Sequence, residues 1–211
     1  MSSDDWVAWH APYDDPNSPL ARRLQCVQEV VSEWLDRRSA GQRHIVSACA
    51  GQGRDLLEVL ADRDDVDGVS ARLVELDPTN VAAARRLAVA VPEGVEIEIV
   101  EADAGQLTAY DGAVPADLVL MCGVFGNISD DDVRRTVASL PMLCATRATV
   151  VWTRHRREPD LTPSIRSWFA EAGFMEESFV APDLDSWSVG VHVFDGEPES
   201  LDPHLVMFRF V

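Results

Sequence analysis

The stretch Ile45-Val46-Ser47-Ala48-Cys49-Ala50-Gly51-Gln52-Gly53-Arg54-Asp55 restricts the folds open to this chain more than any other. A β-prone apolar start runs into small residues and two glycines, and Leu56, Leu57, Val59 and Leu60 follow at helical spacing. That order reads as a strand, a tight turn and the start of a helix. Small residues in the turn let a ligand lie against the backbone, because no bulky side chain holds it off. Unsatisfied N–H groups at the helix start favour polar or anionic ligand groups. A βα turn that uses glycine for geometry alone has the same letters, so the weight of the motif comes from its surroundings.

Upstream, Ser18-Pro19 has the form of an N-cap followed by proline in the first turn. Leu20, Leu24, Val27, Val31 and Trp34-Leu35 then predict an amphipathic helix at about 19–38, ended by Gly41. From Arg43 onward strand and helix patterns alternate. A strand near 44–49 precedes a helix near 54–62, and Ala71 to Leu76 precedes a helix opened by Asp77-Pro78. Val95-Glu96-Ile97-Glu98-Ile99 alternates strictly, as an edge strand does, and its glutamates oppose edge-to-edge pairing. Leu118 to Phe125 is continuously apolar, as a buried parallel strand is, and a helix with Val133, Val137 and Leu140 follows. Thr149 to Thr153 predicts a further strand, and Thr162-Pro163 opens a helix closed by Gly173. Two strand-like runs near 188–194 and 204–211 predict an antiparallel hairpin at one sheet edge. The sum is an α/β fold: a doubly wound, seven-stranded sheet, mostly parallel, with a C-terminal hairpin and an N-terminal helical cap. Residues 1–42 are expected to pack, as a segment and capping helix, on the α/β domain of residues 43–211.

Composition narrows the function. The formal net charge of −18 over 211 residues repels phosphate backbones, so a nucleic-acid partner is not expected. Acidic runs such as Asp130-Asp131-Asp132 also fit solvated loops and helix N-termini. Cys26, Cys49, Cys122 and Cys144 have neither metal-type spacing nor a disulfide framework, which suits reduced thiols in a cytoplasmic protein. No apolar run is long enough to span a bilayer, and no signal-peptide pattern is present, so no membrane partner is expected.

Three strand ends carry the chemistry. Cys49 to Gly53 form the first. Glu75 ends the second, about 20–25 residues past the glycines, where an acidic side chain meets ribose hydroxyls. Asp103-Ala104 follows the third, and a carboxylate there suits an adenine amino group. Asp77 competes with Glu75, but its place before Pro78 reads as a helix N-cap. A dinucleotide fingerprint would want a third glycine three residues after Gly53, and Leu56 fills that place, against a nicotinamide cofactor.

With these residues in hand, the chain over about 43–211 resembles the class I S-adenosylmethionine-dependent methyltransferases, which have a Rossmann-like sheet. The resemblance rests on Ile45 to Leu57, Leu73 to Pro78, Glu101-Ala102-Asp103-Ala104 and Ala116 to Leu120. More narrowly, Cys122 to Asn127 and Trp152 to Arg157 are similar to uncharacterised actinobacterial members. It implies S-adenosylmethionine as cofactor, held by Cys49, Ala50, Gly51, Gly53, Glu75, Leu76, Asp103, Ala104 and Gly123. It also implies methyl transfer to a small molecule, with the acceptor over the ends of the fourth and fifth strands. Phe125, Asn127, Arg154 and Arg156 are expected there, with Trp9, His10 and Tyr13 either closing over the cofactor or docking the N-terminal segment. His155 is the candidate base, since an imidazole titrates near neutrality, or else an ordinary loop histidine. The arginines would clamp an anionic acceptor or pair with the chain's own acidic loops. A metal-assisted site would want carboxylates where Cys122 and Arg154 stand, so no metal is expected. Two positions depart from the family pattern: Ser47 replaces an acidic residue, and Cys49 replaces the first loop glycine. Both leave the methionine end of the cofactor less specified. They keep open a second function, binding S-adenosylmethionine or S-adenosylhomocysteine without turnover.

Overall fold

The computed structural model describes Tyr13, residues 15–38 and residues 41–210. Helix α1 spans Pro19–Asp36 and begins where Ser18 Oγ accepts from the Ala21 amide at 3.0 Å. The α/β part runs β1 (Arg43–Ala48), α2 (Arg54–Ala61), β2 (Val69–Glu75), α3 (Pro78–Ala88) and β3 (Glu96–Glu101). It continues with β4 (Ala116–Met121), α4 (Asp130–Ser139), β5 (Cys144–His155), α5 (Thr162–Glu171), β6 (Phe174–Val180) and β7 (Trp187–Phe194). One seven-stranded sheet holds them in the order β3-β2-β1-β4-β5-β7-β6. All neighbours are parallel except β7, which runs antiparallel to both β5 and β6.

Each sheet face is closed by apolar helix surface. On one side Val27, Val31, Trp34 and Leu35 of α1 share a buried cluster with Ile45, Leu56, Leu118, Val151 and Val189. On the other, Ile165 and Phe169 of α5 join Val46, Val119, Met121 and Trp152. Strand order reverses between β1 and β4, and ligands in such sheets lie beyond the carboxyl ends at that crossover. The β3 edge carries its glutamates outward, and Glu98 accepts from Arg72 of β2 at 2.8 Å.

Three expectations change. The hairpin is β6 with β7, not β7 with residues 204–211. Strand β6 reads poorly because Met175, Glu176, Glu177 and Ser178 all face solvent on an edge. Residues 204–210 form a strap instead, with only isolated bridges, Gln106 to Val206 and Ile128 to Phe210. The strap is anchored by Met207 and Phe208, consecutive residues that are both buried. Yet the strap's polar partners are loops and side chains: the Met207 amide donates to the Gly105 carbonyl, and Arg135 Nε donates to the Val206 and Met207 carbonyls. Strand β4 stops at Met121, so Cys122 to Phe125 form a turn. Strand β5 starts earlier than Thr149, across an irregularity in its pairing with β4.

Candidate functional site

A cavity of about 460 Å³ opens above the ends of β1, β2 and β4. Its floor is the β1–α2 turn. Cys49 has φ of 51°, in the left-handed region that glycine prefers, at the place where a glycine is expected from the motif. Gly51 follows with φ of 56°, and its amide donates to Glu75 Oε2 at 2.7 Å. Glu75 Oε1 accepts from the Asp77 amide at 2.8 Å, so both backbone bonds fix the carboxylate at the cavity wall. A carboxylate so held keeps further lone pairs for ligand hydroxyls. Asp77 caps α3 by accepting from the Thr79 and Asn80 amides. Asp103 Oδ1 accepts from the Gly105 amide at 2.9 Å. Gly105 has no room for a side chain, because an added Cβ would lie 2.3 Å from the Phe208 carbonyl oxygen. The strap is thereby pressed onto the Asp103 turn, and Phe210 joins the lining.

Of the expected residues, Cys49, Ala50, Gly51, Glu75, Leu76, Asp103, Ala104 and Gly123 line this cavity, as do Tyr13 and Asn127. Asn127 Nδ2 donates to the Gly123 carbonyl at 2.7 Å, and the Gly123 amide donates to Thr153 Oγ1 at 2.8 Å, which ties the β4 turn to β5. Trp9 and His10 lie outside the described residues.

Other expectations are corrected. Gly53 faces the core: an added Cβ would meet Leu57 and Leu73 at 2.7 Å, so this glycine serves packing at the start of α2. Phe125 is fully buried against Trp152 and Phe169 and lines no part of the cavity. Arg154 is buried, donates to the Phe125 carbonyl and approaches Asp130 at 3.6 Å. Arg156 donates to the Pro182 and Asp185 carbonyls. Both guanidiniums donate to carbonyls of neighbouring loops, and neither lines the cavity. His155 is also absent from the cavity wall, and its ring lies beside Gly126. Burial first, then Arg154 and Arg157, holds its pKa below the usual imidazole value.

Arg23, Leu24, Val27, Asp55 and Cys122, not among the residues expected at the site, wall the cavity between α1, α2 and the β4 turn. Asp55 is only 9% exposed, and its Oδ1 is buried without a hydrogen-bond partner. Burial, opposed by its own and the Leu56 backbone amides and by Arg23, raises its pKa to about 6. Burial followed by Asp55 pushes the Cys122 thiol well up. Arg23 Nη2 donates to Tyr13 Oη at 2.8 Å. In sequence Arg23 reads as a solvated helical arginine, and Asp55, although it lies in the Ile45 to Asp55 stretch, as an ordinary first-turn acid.

Among the described residues no group of three His, Cys, Asp or Glu side chains is placed to hold a metal ion, and no helix is long and apolar enough to cross a membrane.

No family model matches this chain, and no curated protein matches its sequence. Solved structures do. A magnesium protoporphyrin IX methyltransferase from Synechocystis PCC 6803 with bound SAH aligns with TM-score 0.72 at 14% identity, over 91% of this chain and 94% of that one. A TehB-like SAM-dependent methyltransferase from Corynebacterium glutamicum gives TM-score 0.62 at 14% identity, over 90% and 96% of the two chains. The cyclase SpnF gives TM-score 0.55 at 11% identity, over 78% and 80%. The chain has the Rossmann-like fold of class I S-adenosylmethionine-dependent methyltransferases, a fold that also carries other chemistry.

Proposed function

We propose that this protein is a methyltransferase that binds S-adenosylmethionine and methylates a small molecule without a metal ion. The observation that carries the reading is one cavity continuous over Cys49 to Gln52, Glu75 and Asp103, at the crossover point of the sheet. Glu75 would accept from the ribose hydroxyls and Asp103 from the adenine amino group, while Cys49, Ala50 and Gly51 present backbone to the ligand. The partnerless Asp55 oxygen further fits a ligand with a cationic end. When bound, the cofactor supplies an electrophilic methyl group on a sulfonium centre. This chain's own part is to hold the acceptor at attack distance and to exclude water. A cavity of about 460 Å³ admits small ligands and not a macromolecular surface, and the acidic chain disfavours nucleic acid. A soluble, cytoplasmic protein is part of the same reading. Arg154 and Arg156 do not support an anionic acceptor, since their guanidiniums are engaged by their own loops.

The displacement of His155, Arg154 and Arg156 from the cavity favours a second reading, a protein that holds the cofactor or its product without turnover. Calorimetry with S-adenosylhomocysteine, NAD and NADP tests binding, and release of S-adenosylhomocysteine against a metabolite panel tests turnover. Micromolar binding of S-adenosylhomocysteine with no response to NAD is expected. Binding of a nicotinamide dinucleotide alone overturns the reading, and binding with no turnover on any acceptor favours the second one.

A further inference from the structure

The strap of residues 204–210 reaches the cavity from outside the sheet, and its end is held at several points. The Met207 amide donates to the Gly105 carbonyl, and the Arg209 amide donates to Asp132 Oδ2 at 3.1 Å. Asp132 is buried in the first turn of α4 and also accepts from Arg135. Phe208 is fully buried, and its ring stands edge-on to Phe210 with centroids 5.7 Å apart. Phe210 is bridged to Ile128, so the strap sets an aromatic ring at the cavity wall beside the β4 turn. The ring is partly exposed there, and a planar ligand gains most from such a face. Asn127, next to Ile128, has a locked amide. Only its NH2 group can donate to the Gly123 carbonyl, which leaves Oδ1 on the far side of the amide, accepting no hydrogen bond among the described residues. Space nearby is open: Gly123 has φ of 79°, and a Cβ added there would meet nothing within 4 Å. Charge narrows the ligand further. The carboxylates of the wall, Asp55, Glu75, Asp77 and Asp103, outnumber its guanidiniums, Arg23 and Arg54, which opposes an anionic acceptor.

We propose that Asn127 and Phe210 form the methyl-acceptor subsite and that the acceptor is a neutral aromatic amine, its ring stacked on Phe210 and one N–H donated to Asn127 Oδ1. The proposal rests on the methyltransferase reading given under Proposed function. An amide oxygen takes up no proton, so the nucleophile has to carry a free lone pair before it attacks. A neutral amine does, whereas a hydroxyl at the same place would need a base. The amine lone pair forms the new N–C bond as the methyl C–S bond breaks with its electrons left on sulfur. The N–H proton of the resulting ammonium then passes to water. The strap is thereby part of the site, and the residues after β7 help to select the acceptor.

The test loads the protein with saturating S-adenosylhomocysteine at neutral pH and titrates two probes by ligand-observed NMR. One is 6-aminoquinoline, and the other is its N,N-dimethyl analogue, which keeps the ring and lacks the N–H donor. The unaltered protein should bind 6-aminoquinoline roughly 3–10-fold more tightly, as one neutral hydrogen bond allows. Asn127→Ala should bring the two probes to within about twofold of each other, and Asn127→Asp, which keeps an acceptor oxygen, should retain the preference. Phe210→Leu should weaken both probes by a similar factor of roughly 3–10, since it removes the ring and leaves the hydrogen bond. If the loaded protein binds neither probe, or both equally, the acceptor subsite is overturned and the cofactor site stands. Unchanged probe binding in Phe210→Leu overturns it as well. Failure to bind S-adenosylhomocysteine at all overturns the cofactor reading itself. Should Asn127→Ala unsettle the β4 turn and lose S-adenosylhomocysteine, Asn127→Asp decides: loss of the preference there overturns the subsite.

Discussion

Replacing Asp55 with Asn should stabilise the ligand-free protein above about pH 6 and leave it unchanged near pH 4. Burial lifts the Asp55 carboxyl to about 6 in the folded chain, against about 3.9 when unfolded. The folded state therefore binds this proton more tightly. Stability contributed by the group falls as pH rises between those values, and the whole penalty is present above the higher one. The difference corresponds to about 3 kcal/mol, an upper bound because Asn leaves a buried amide to satisfy. For a chain of this length it amounts to roughly 6–12 °C in Tm. Thermal unfolding of both proteins at about pH 4, 6 and 8 would read it. The two curves should coincide at the acid end and separate at the alkaline end, the variant melting higher. An Asn variant that melts lower at pH 8, or a gap independent of pH, refutes the presence of an ionised, uncompensated carboxylate. Added S-adenosylhomocysteine should narrow the gap, since the ligand binds the native state and its ammonium relieves the charge only in the unaltered protein.

Other perturbations have equally definite outcomes. Gly190→Ala should destabilise by about 1–3 kcal/mol in denaturant titration, because its methyl would lie 2.3 Å from the Trp152 ring, which Phe169 stacks in place. His192 is buried, accepts from Trp152 Nε1 at 3.1 Å and is held neutral with a pKa of about 4. Its 3.7 Å approach to Glu176 is then not an ion pair at neutral pH. Because that value lies below the unfolded one, stability is complete above about pH 6.5 and is lost as pH falls to about 4, by up to about 3 kcal/mol. His192→Phe should flatten that acid limb in pH-dependent melting. Phe210 is 43% exposed and lines the cavity from the strap. Phe210→Ala should weaken S-adenosylhomocysteine by roughly 3–10-fold in calorimetry with Tm nearly unchanged, as an exposed apolar wall allows.

Much of the architecture is legible in the letters because its signals are local. Ser18-Pro19 and Asp77-Pro78 start α1 and α3 through their own side chains and proline rings. The apolar run into Gly51 and Gly53 forces a strand, a left-handed turn and a helix, and the Glu-Ile alternation of β3 marks an edge. The placing of Glu75 and Asp103 at strand ends follows from the same periodicity. Strand β6 is not legible in sequence because most of its side chains face solvent and its pairing with β7 supplies the order. The strap at 204–210 reads as a strand because a short apolar run looks the same in sequence whether it pairs with a strand or packs as a loop, here through Met207 and Phe208.

The sequence by itself determined which segments become strands and helices, and where the turn that faces a ligand must fall, since backbone preference and apolar spacing act within a few residues. Only the tertiary structure decided which polar side chains meet in the cavity. Arg154, Arg156 and Asp55 are indistinguishable in sequence from solvated charges. Packing turned the two arginines onto carbonyls of their own loops, and it laid α1 and the β4 turn around Asp55, removing the water that would otherwise have satisfied it.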